Sequence, residues 1–159
     1  MNDVYNEQFL YRAIELANNN IKNGTGGPFA AVVVKNGEII AESVNTVACD
    51  NDPTAHAEVN VIREACKKMK DFQLTGCQMY TSCEPCPMCL GAIYWARPDV
   101  VFFAASQKDA AFGGFDDEFI YTEIEKPKME RTIPFIQKPI PEGRKVFENW
   151  NNADNKTRY

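Results

Sequence analysis

The stretch FAAVVVKNGEIIAESV, residues 29–44, predicts the fold of this chain. It contains an apolar run, the pair Asn36-Gly37 and a second apolar run. Asn-Gly between two apolar runs is the strongest short-range signal for a β-hairpin, because both residues tolerate the left-handed backbone of a tight turn. The chain therefore starts its sheet with an antiparallel pair of strands.

The segments around the hairpin alternate between helix and strand. Further strands are predicted at QMYTS and VVFFAAS, the latter buried, and a weak strand broken by prolines at TIPFIQKPI. Asp52 is a plausible N-cap with Pro53 at the first position of the helix that follows. The other predicted helices cover residues 5–22, 86–96, 116–124 and 142–152. A hairpin followed by this alternation predicts an α/β fold, with one mixed sheet covered by helices on both faces.

The composition is that of an ordinary globular chain. Its 159 residues suit one domain, with 45% hydrophobic and 25% charged residues. The net charge of −5 argues against an extended nucleic-acid surface. We expect no membrane span and no secretory signal, and hence a cytoplasmic protein. In that reducing compartment the 6 cysteines are expected to bind metal, catalyse or pack rather than form disulfides.

One histidine and one C-x-x-C pair carry the candidate chemistry. His56 is the single histidine, and Cys86 and Cys89 lie at the predicted start of a helix. Spacing of three residues places two side chains on one helix face, and a helix start favours thiolates. Two thiolates and an imidazole are ligands for Zn²⁺, and three protein ligands leave a position for water, as in catalytic zinc sites.

Glu58 is the candidate acid and base. On an ideal helix it is turned about 200° from His56, so it is no obvious ligand, but it can line the same cleft. Zn²⁺ with two thiolates and a neutral imidazole has a net charge of about zero, so it acidifies water less than an all-imidazole site. A carboxylate that takes the proton offsets this weakness. His56-Ala-Glu58 followed by Pro85-Cys86-Pro-Met-Cys89 is the H-x-E and P-C-x-x-C pattern of zinc-dependent nucleobase deaminases.

The cysteines also allow other interpretations. The C-x-x-C pair is compatible with a redox pair, and Cys83 is a possible fourth ligand of a structural zinc site. An iron–sulfur cluster requires four cysteines, and the others are scattered. We expect Cys83, which precedes the helix, to pack beside the site rather than bind metal. The remaining three are expected to be small buried apolar residues: Cys49, Cys66 and Cys77.

Longer segments resemble the cytidine-deaminase-like zinc deaminases, and within them the bacterial guanine deaminases. These segments follow in the same order and cover nearly the whole chain: GGPFAAVVVKNGEIIAESVN, NDPTAHAEV, YTSCEPCPMCLGAIYWARP, GFDDEFIYTEI and ERTIPF. The resemblance implies a single domain over residues 1–159. It also implies a three-layer α/β/α sandwich around a five-stranded mixed sheet.

The resemblance also assigns roles to residues. It implies one Zn²⁺ per subunit on His56, Cys86 and Cys89, with Glu58 as the proton shuttle. It implies a homodimer that exchanges C-terminal segments, about residues 142–159, across the two subunits. The residues expected to bind substrate are Asn45, Asp117, the aromatic walls Phe29 and Trp95, and Tyr159 of the partner subunit.

The implied reaction is hydrolytic deamination of guanine to xanthine and ammonia, with a small purine base as the substrate. Two alternatives share the chemistry, a tRNA adenosine deaminase and a cytosine deaminase. The first needs a basic surface that faces RNA, and the acidic composition speaks against one. A third alternative is a zinc-stabilised binding module without catalysis, for which an open metal position and Glu58 would have no use.

Overall fold

The computed structural model describes residues 5–158. These residues form two compact units, the first ending at Asp117 and the second beginning at Glu118. Among them, no helix is long and apolar enough to span a membrane. The first unit contains α1 (Glu7–Asn23), β1 (Ala30–Lys35), β2 (Glu38–Val44), α2 (Val47–Asp50), α3 (Ala57–Met69), β3 (Cys77–Cys83), α4 (Pro87–Ala96), β4 (Val100–Ala105) and α5 (Gln107–Phe112).

The predicted hairpin is confirmed. β1 and β2 pair antiparallel, with Lys35 opposite Glu38 on either side of the turn. Asn36 has φ 53° and Gly37 has φ 80°. Two successive residues with positive φ suit the twist of a two-residue hairpin turn, which explains why Asn and Gly occupy it.

The first unit is built on a mixed sheet in the order β2-β1-β3-β4. β1 is antiparallel to both neighbours, while β3 and β4 are parallel and are joined through α4. The α/β prediction is confirmed, but five strands is wrong, because the described residues form a four-stranded sheet. Residues 132–140 form no strand, and Pro134 and Pro139 within them lack the N–H that a ladder requires.

Helices cover both faces of this sheet. One face packs on α1, and the other packs on α3 and α4. β1 serves both cores because alternate strand residues point to opposite faces: Val32 and Val34 face α1, whereas Ala31 and Val33 face α3. β4 was predicted to be buried, but it is an edge strand and Phe103 is 47% exposed.

Two helix starts decide where the site lies. α3 begins at Ala57 with His56 as its N-cap, four residues later than predicted. Asp52 does not cap this helix, because its carboxylate accepts hydrogen bonds from the Thr54 backbone N–H and hydroxyl at 2.8 and 2.7 Å. The predicted start of α4 is confirmed, with Cys86 as N-cap and Pro87 as the first helical residue.

The second unit contains α6 (Glu118–Glu125) and α7 (Pro141–Asn152), close to the two helices predicted there. Arg131 ties the intervening segment to α6 by donating to the Ile124 carbonyl at 3.0 Å. The same guanidinium lies 5.2 Å from the centre of the Phe135 ring. The large exposed apolar side chains of the second unit are Phe119, Ile120, Ile124, Met129, Ile133, Phe135, Ile136, Ile140, Val146, Phe147 and Trp150.

Candidate active site

The three predicted metal ligands lie together. His56 Nδ1 is 3.6 Å from Cys86 Sγ and 3.5 Å from Cys89 Sγ, and the two sulfurs are 3.5 Å apart. Zn–S bonds of about 2.3 Å and Zn–N bonds of about 2.0 Å in a tetrahedron imply edges of about 3.5 to 3.8 Å. The donor set and its spacing therefore fit one Zn²⁺.

The start of each helix supplies these ligands. His56 and Cys86 are the N-caps of α3 and α4, and both have extended backbone dihedrals. Cys89 is the third residue of α4 and is fully buried. Unpaired backbone N–H groups and the positive ends of two helix dipoles therefore converge on the cluster and favour anionic sulfur.

The protonation of the three ligands is coupled. The hydrogen bond between Cys86 and Cys89 lowers the pKa of Cys86 to about 4, and the same bond together with burial raises the pKa of Cys89. The hydrogen bond between His56 and Cys86 raises the pKa of His56. The cluster thus holds one thiolate and one thiol proton, and a Zn²⁺ ion would displace that proton.

Glu58 lies beside this cluster as the second residue of α3. It is buried, at 6% exposure, and desolvation raises the pKa of its carboxyl group. The expected rotation of 200° from His56 is wrong, because His56 is an extended N-cap rather than a helical residue. Both residues line the same pocket, so a carboxyl with a raised pKa lies where it can exchange protons with a bound molecule.

The pocket has a volume of about 680 Å³. That size suits a small ligand. Six of the residues predicted for the site line it: Phe29, Asn45, His56, Glu58, Cys86 and Asp117.

Asn45 follows β2 and is nearly buried, at 7% exposure. Its Oδ1 atom accepts hydrogen bonds from the backbone N–H groups of Gly27, at 3.4 Å, and Val47, at 3.2 Å. Asn45 shapes the loop after β2 and faces the pocket.

Asp117 is held by a residue that the sequence did not indicate. Gln107 donates from Nε2 to Asp117 Oδ1 at 2.8 Å, and its backbone N–H donates to the Glu84 carboxylate at 3.0 Å. All three residues line the pocket. Glu84 and Asp117 are distant in sequence, and no spacing rule could have paired them before α5 was placed.

The aromatic walls differ from the prediction. Phe29 lines the pocket and meets Phe115 edge to face, with ring centres 4.9 Å apart and planes at 86°. Trp95 does not line the pocket and is 65% exposed. It lies eight residues after the start of α4, about 12 Å along the helix axis from the metal-binding end. Phe115 also lines the pocket, and Tyr159 lies outside the described residues.

The other cysteines stay outside the metal cluster. Within residues 5–158 the cluster of three potential ligands is formed by His56, Cys86 and Cys89. Cys83 is buried at the end of β3 and its thiol lies 3.6 Å from the Ser106 carbonyl. Cys77 is buried as expected, whereas Cys49 is exposed because it lies on the short surface helix α2.

Comparisons with known proteins agree with this site. Residues 4–105 match the cytidine and deoxycytidylate deaminase zinc-binding region. Guanine deaminase of Bacillus subtilis is 60% identical over 96% of this chain and 98% of that protein. Its crystal structure superposes with a TM-score of 0.96, at 58% identity over 98% of this chain and 99% of that one.

Two more distant relatives are similar to this chain, one in structure and one in sequence. The structure of a guanine deaminase from Nitrosomonas europaea has a TM-score of 0.68, at 33% identity over 71% of this chain and 65% of that one. A tRNA-specific adenosine deaminase of Aquifex aeolicus is 33% identical over 91% of this chain and 92% of that protein. Since the family match contains all three clustered ligands and Glu58, this chain belongs to the cytidine and deoxycytidylate deaminase family of zinc-binding proteins.

Proposed function

We propose that this chain removes the 2-amino group of guanine by hydrolysis, giving xanthine and ammonia. The observation that carries the proposal is Glu58, a buried carboxyl beside a three-ligand metal cluster on the wall of a base-sized pocket. The 60% identity to a protein named guanine deaminase supports guanine as the base. A purely structural metal site needs neither a pocket nor this carboxyl.

Zn²⁺ bound by His56, Cys86 and Cys89, one ion per subunit, would supply Lewis acidity to the attacking water. Glu58 accepts the proton of that water and passes it to a ring nitrogen of guanine, which makes C2 more electrophilic. Glu58 then carries the second proton to the departing amine, so that one water and one guanine yield xanthine and ammonia. The raised pKa of Glu58 suits a group that must both accept and donate.

The pocket offers matching groups for a purine. Guanine has N–H donors, and Asp117 and Glu84 present carboxylate acceptors held in place by Gln107. Phe29 supplies an aromatic surface for the flat base, and the Phe115 ring packs edge to face with the Phe29 ring. We propose Asn45, Asp117 and Phe29 as the substrate-binding residues of the pocket.

The proposal is tested by ammonia release from guanine, adenine, cytosine, cytidine and a tRNA anticodon stem. We expect turnover of guanine to exceed that of the others. Preferred turnover of the stem would instead support a tRNA adenosine deaminase, because a tRNA-specific adenosine deaminase is 33% identical to this chain. No ammonia from any substrate by zinc-loaded protein would support a binding module.

Glu58→Gln should keep zinc and lose about 10²- to 10⁴-fold in kcat, because glutamine cannot shuttle a proton. Zinc content by metal analysis and turnover of guanine are the two measurements. Glu64→Gln on the same helix is the matched control, since Glu64 is a half-buried partner of Lys68 and Ser43 that does not line the pocket. Retained turnover in Glu58→Gln would remove Glu58 from the mechanism.

We further propose a homodimer in a reducing compartment such as the cytoplasm. The exposed apolar side chains of the second unit suit burial against a second copy, and all 6 cysteines are free. Light scattering should then give twice 17.9 kDa. A mass of one chain would contradict it.

If residues 142–159 are exchanged, Tyr159 completes the partner's pocket. Removing Tyr159 should then impair turnover, and mixing these chains with Glu58→Gln chains should restore it. The mixed dimer has one site with an intact Glu58 and an intact partner tail. If the two variants stay inactive after their subunits have been mixed, the C-terminal segments are not exchanged between subunits.

A further inference from the structure

We propose that Asn20, a buried residue in the last turn of α1, positions Asn45 so that Asn45 presents its NH₂ group to the base. The inference rests on the proposed role of Asn45 in substrate binding. It adds a positioning residue outside the pocket, on an element that carries none of the family motifs.

Asn20 is polar, yet it is only 3% exposed. Its Nδ2 atom donates to the Gly27 carbonyl at 2.8 Å and to the Asn45 carbonyl at 2.9 Å. Both carbonyls belong to loops, where no neighbouring strand is available to pair with them. The Gly27 carbonyl also accepts a hydrogen bond from the Phe29 backbone N–H at 2.8 Å. Asn is a weak helix former, so its presence inside a helix is explained chiefly by the buried Asn45 carbonyl, which is costly to leave unpaired.

The two loops that Asn20 joins are in direct contact. A Cβ atom on Gly26 would lie 2.2 Å from the Asn45 carbonyl oxygen and 2.8 Å from Asn45 Oδ1. The Gly27 N–H donates to the same Oδ1 atom. Asn20 therefore holds a glycine loop against Asn45 at a distance that excludes any larger residue.

This contact decides which end of the Asn45 amide faces the pocket. The neighbours of Oδ1 are backbone N–H groups of Gly27 and Val47, which can only donate. The amide oxygen must therefore point at them, which fixes its orientation from the hydrogen-bond network. Within residues 5–158 no protein group accepts a hydrogen bond from Asn45 Nδ2, so this donor is available to an acceptor atom of the base.

The pocket then has both a hydrogen-bond donor and acceptors in its lining. Asn45 offers N–H groups to a ring nitrogen or carbonyl oxygen, while Glu84 and Asp117 accept from N–H groups. A purine that carries both kinds of group, such as guanine, satisfies both. Loss of Asn20 should allow the Asn45 loop to shift and weaken binding, without touching the metal cluster or Glu58.

The test is a double-mutant cycle on the zinc-loaded enzyme with guanine as substrate. Asn20→Ala should raise KM about tenfold, while kcat changes much less, because a lost positioning contact weakens substrate binding. Asn20→Ala combined with Asn45→Ala should be no worse than Asn45→Ala alone, because the first residue acts through the second. Asn19→Ala, on the exposed face of the same helix, is the control for helix propensity.

The outcomes separate the two proposals. Additive effects on KM in the double variant, or an unchanged KM with a lower melting temperature, would make Asn20 a structural residue only. If Asn20→Ala does not fold, Asn20→Ser supplies a shorter donor for the same cycle, and failure of both to fold would also overturn the positioning role. An unchanged KM in Asn45→Ala would show that Asn45 does not bind the substrate. The guanine deaminase proposal itself would be contradicted only if the unmodified, zinc-loaded enzyme did not turn over guanine.

Discussion

At the scale of single residues, three cysteines with equal spacing have different chemistry. Cys86 and Cys89 lie in the first turn of α4, whereas Cys83 ends β3. Burial raises the pKa of Cys83 to about 11, while the hydrogen bond between Cys86 and Cys89 lowers the pKa of Cys86 to about 4. The backbone position, rather than the C-x-x-C-x-x-C spacing, decides which sulfur is a ligand.

Thiol labelling should show this difference. At pH 8, a pKa of about 11 leaves Cys83 about one part in a thousand thiolate, and the thiolate is the reactive form. With iodoacetamide on the zinc-loaded protein, we expect Cys49, which is exposed, to react first. Cys83 should stay unmodified from pH 7 to 9, because the thiolate fraction rises only as pH approaches 11.

Peptide mass spectrometry measures both sites in one sample. Cys49→Ser protein is the control, in which alkylation at early times should almost vanish. Alkylation of Cys83 at pH 8 as fast as that of Cys49 would show that the end of β3 is open to solvent.

The sequence predicted the metal site well and the pocket in part. Spacing and residue type were enough for His56, Cys86, Cys89 and Glu58, because few functions require that combination. Gln107 could not be predicted, since its contact with Asp117 depends on how α5 ends. The pocket walls other than the metal cluster are formed by contacts between segments that are distant in sequence, and residue spacing does not reveal such contacts.

At the scale of elements, the starts of α3 and α4 set the site. The sequence placed the start of α4 correctly because Pro87 is a strong signal for the first helical residue. It placed α3 too early because Asp52-Pro53 has the same local pattern but closes a turn instead. The later start is what makes His56 an N-cap with an extended backbone and directs it to the sulfurs.

The hairpin turn should be sensitive to a small side chain because of its backbone conformation. Gly37 has φ 80°, and a residue with a Cβ atom costs roughly 1 to 2 kcal/mol in a left-handed conformation. Gly37→Ala should therefore lower the melting temperature by several degrees. A chain of this size loses about 2 to 4 °C for each kcal/mol.

Gly143→Ala is the matched control for this substitution. Gly143 lies in α7 without a positive φ, and an added Cβ would meet nothing within 4 Å. Alanine there should be neutral or stabilise by up to about 1 kcal/mol, because alanine favours helix. Equal destabilisation by both substitutions in calorimetry would show that the turn conformation is not what Gly37 provides.

At the scale of the whole molecule, the first unit has a core that does not depend on the metal. Its sheet is packed on both faces by apolar residues, from α1 on one side and from α3 and α4 on the other. The metal cluster lies at the starts of α3 and α4, and these two helices also contact each other. Hydrophobic patterning predicted these layers, but it also predicted a fifth strand in the second unit, where proline makes a paired strand unfavourable.

Removing zinc should therefore abolish guanine turnover without unfolding the chain. A ligand that binds only the folded state stabilises it by RT ln(1 + [L]/Kd), about 4 kcal/mol at a thousandfold excess over Kd. Chelation should lower the melting temperature accordingly, while circular dichroism at room temperature stays that of a folded α/β protein. Added zinc should restore both activity and melting temperature.

Hydrogen exchange locates the effect of chelation within the fold. Without the ion, hydrogen bonds among His56, Cys86 and Cys89 replace the three stronger bonds to the metal, so the first turns of α3 and α4 should exchange faster. β1 should keep its protection, because its residues are buried in both cores. Cys83→Ala, whose sulfur is outside the cluster, should show the same zinc-dependent difference as the unmodified chain. Protection that is equal with and without zinc at both helix starts would mean that the three ligands are held by packing alone.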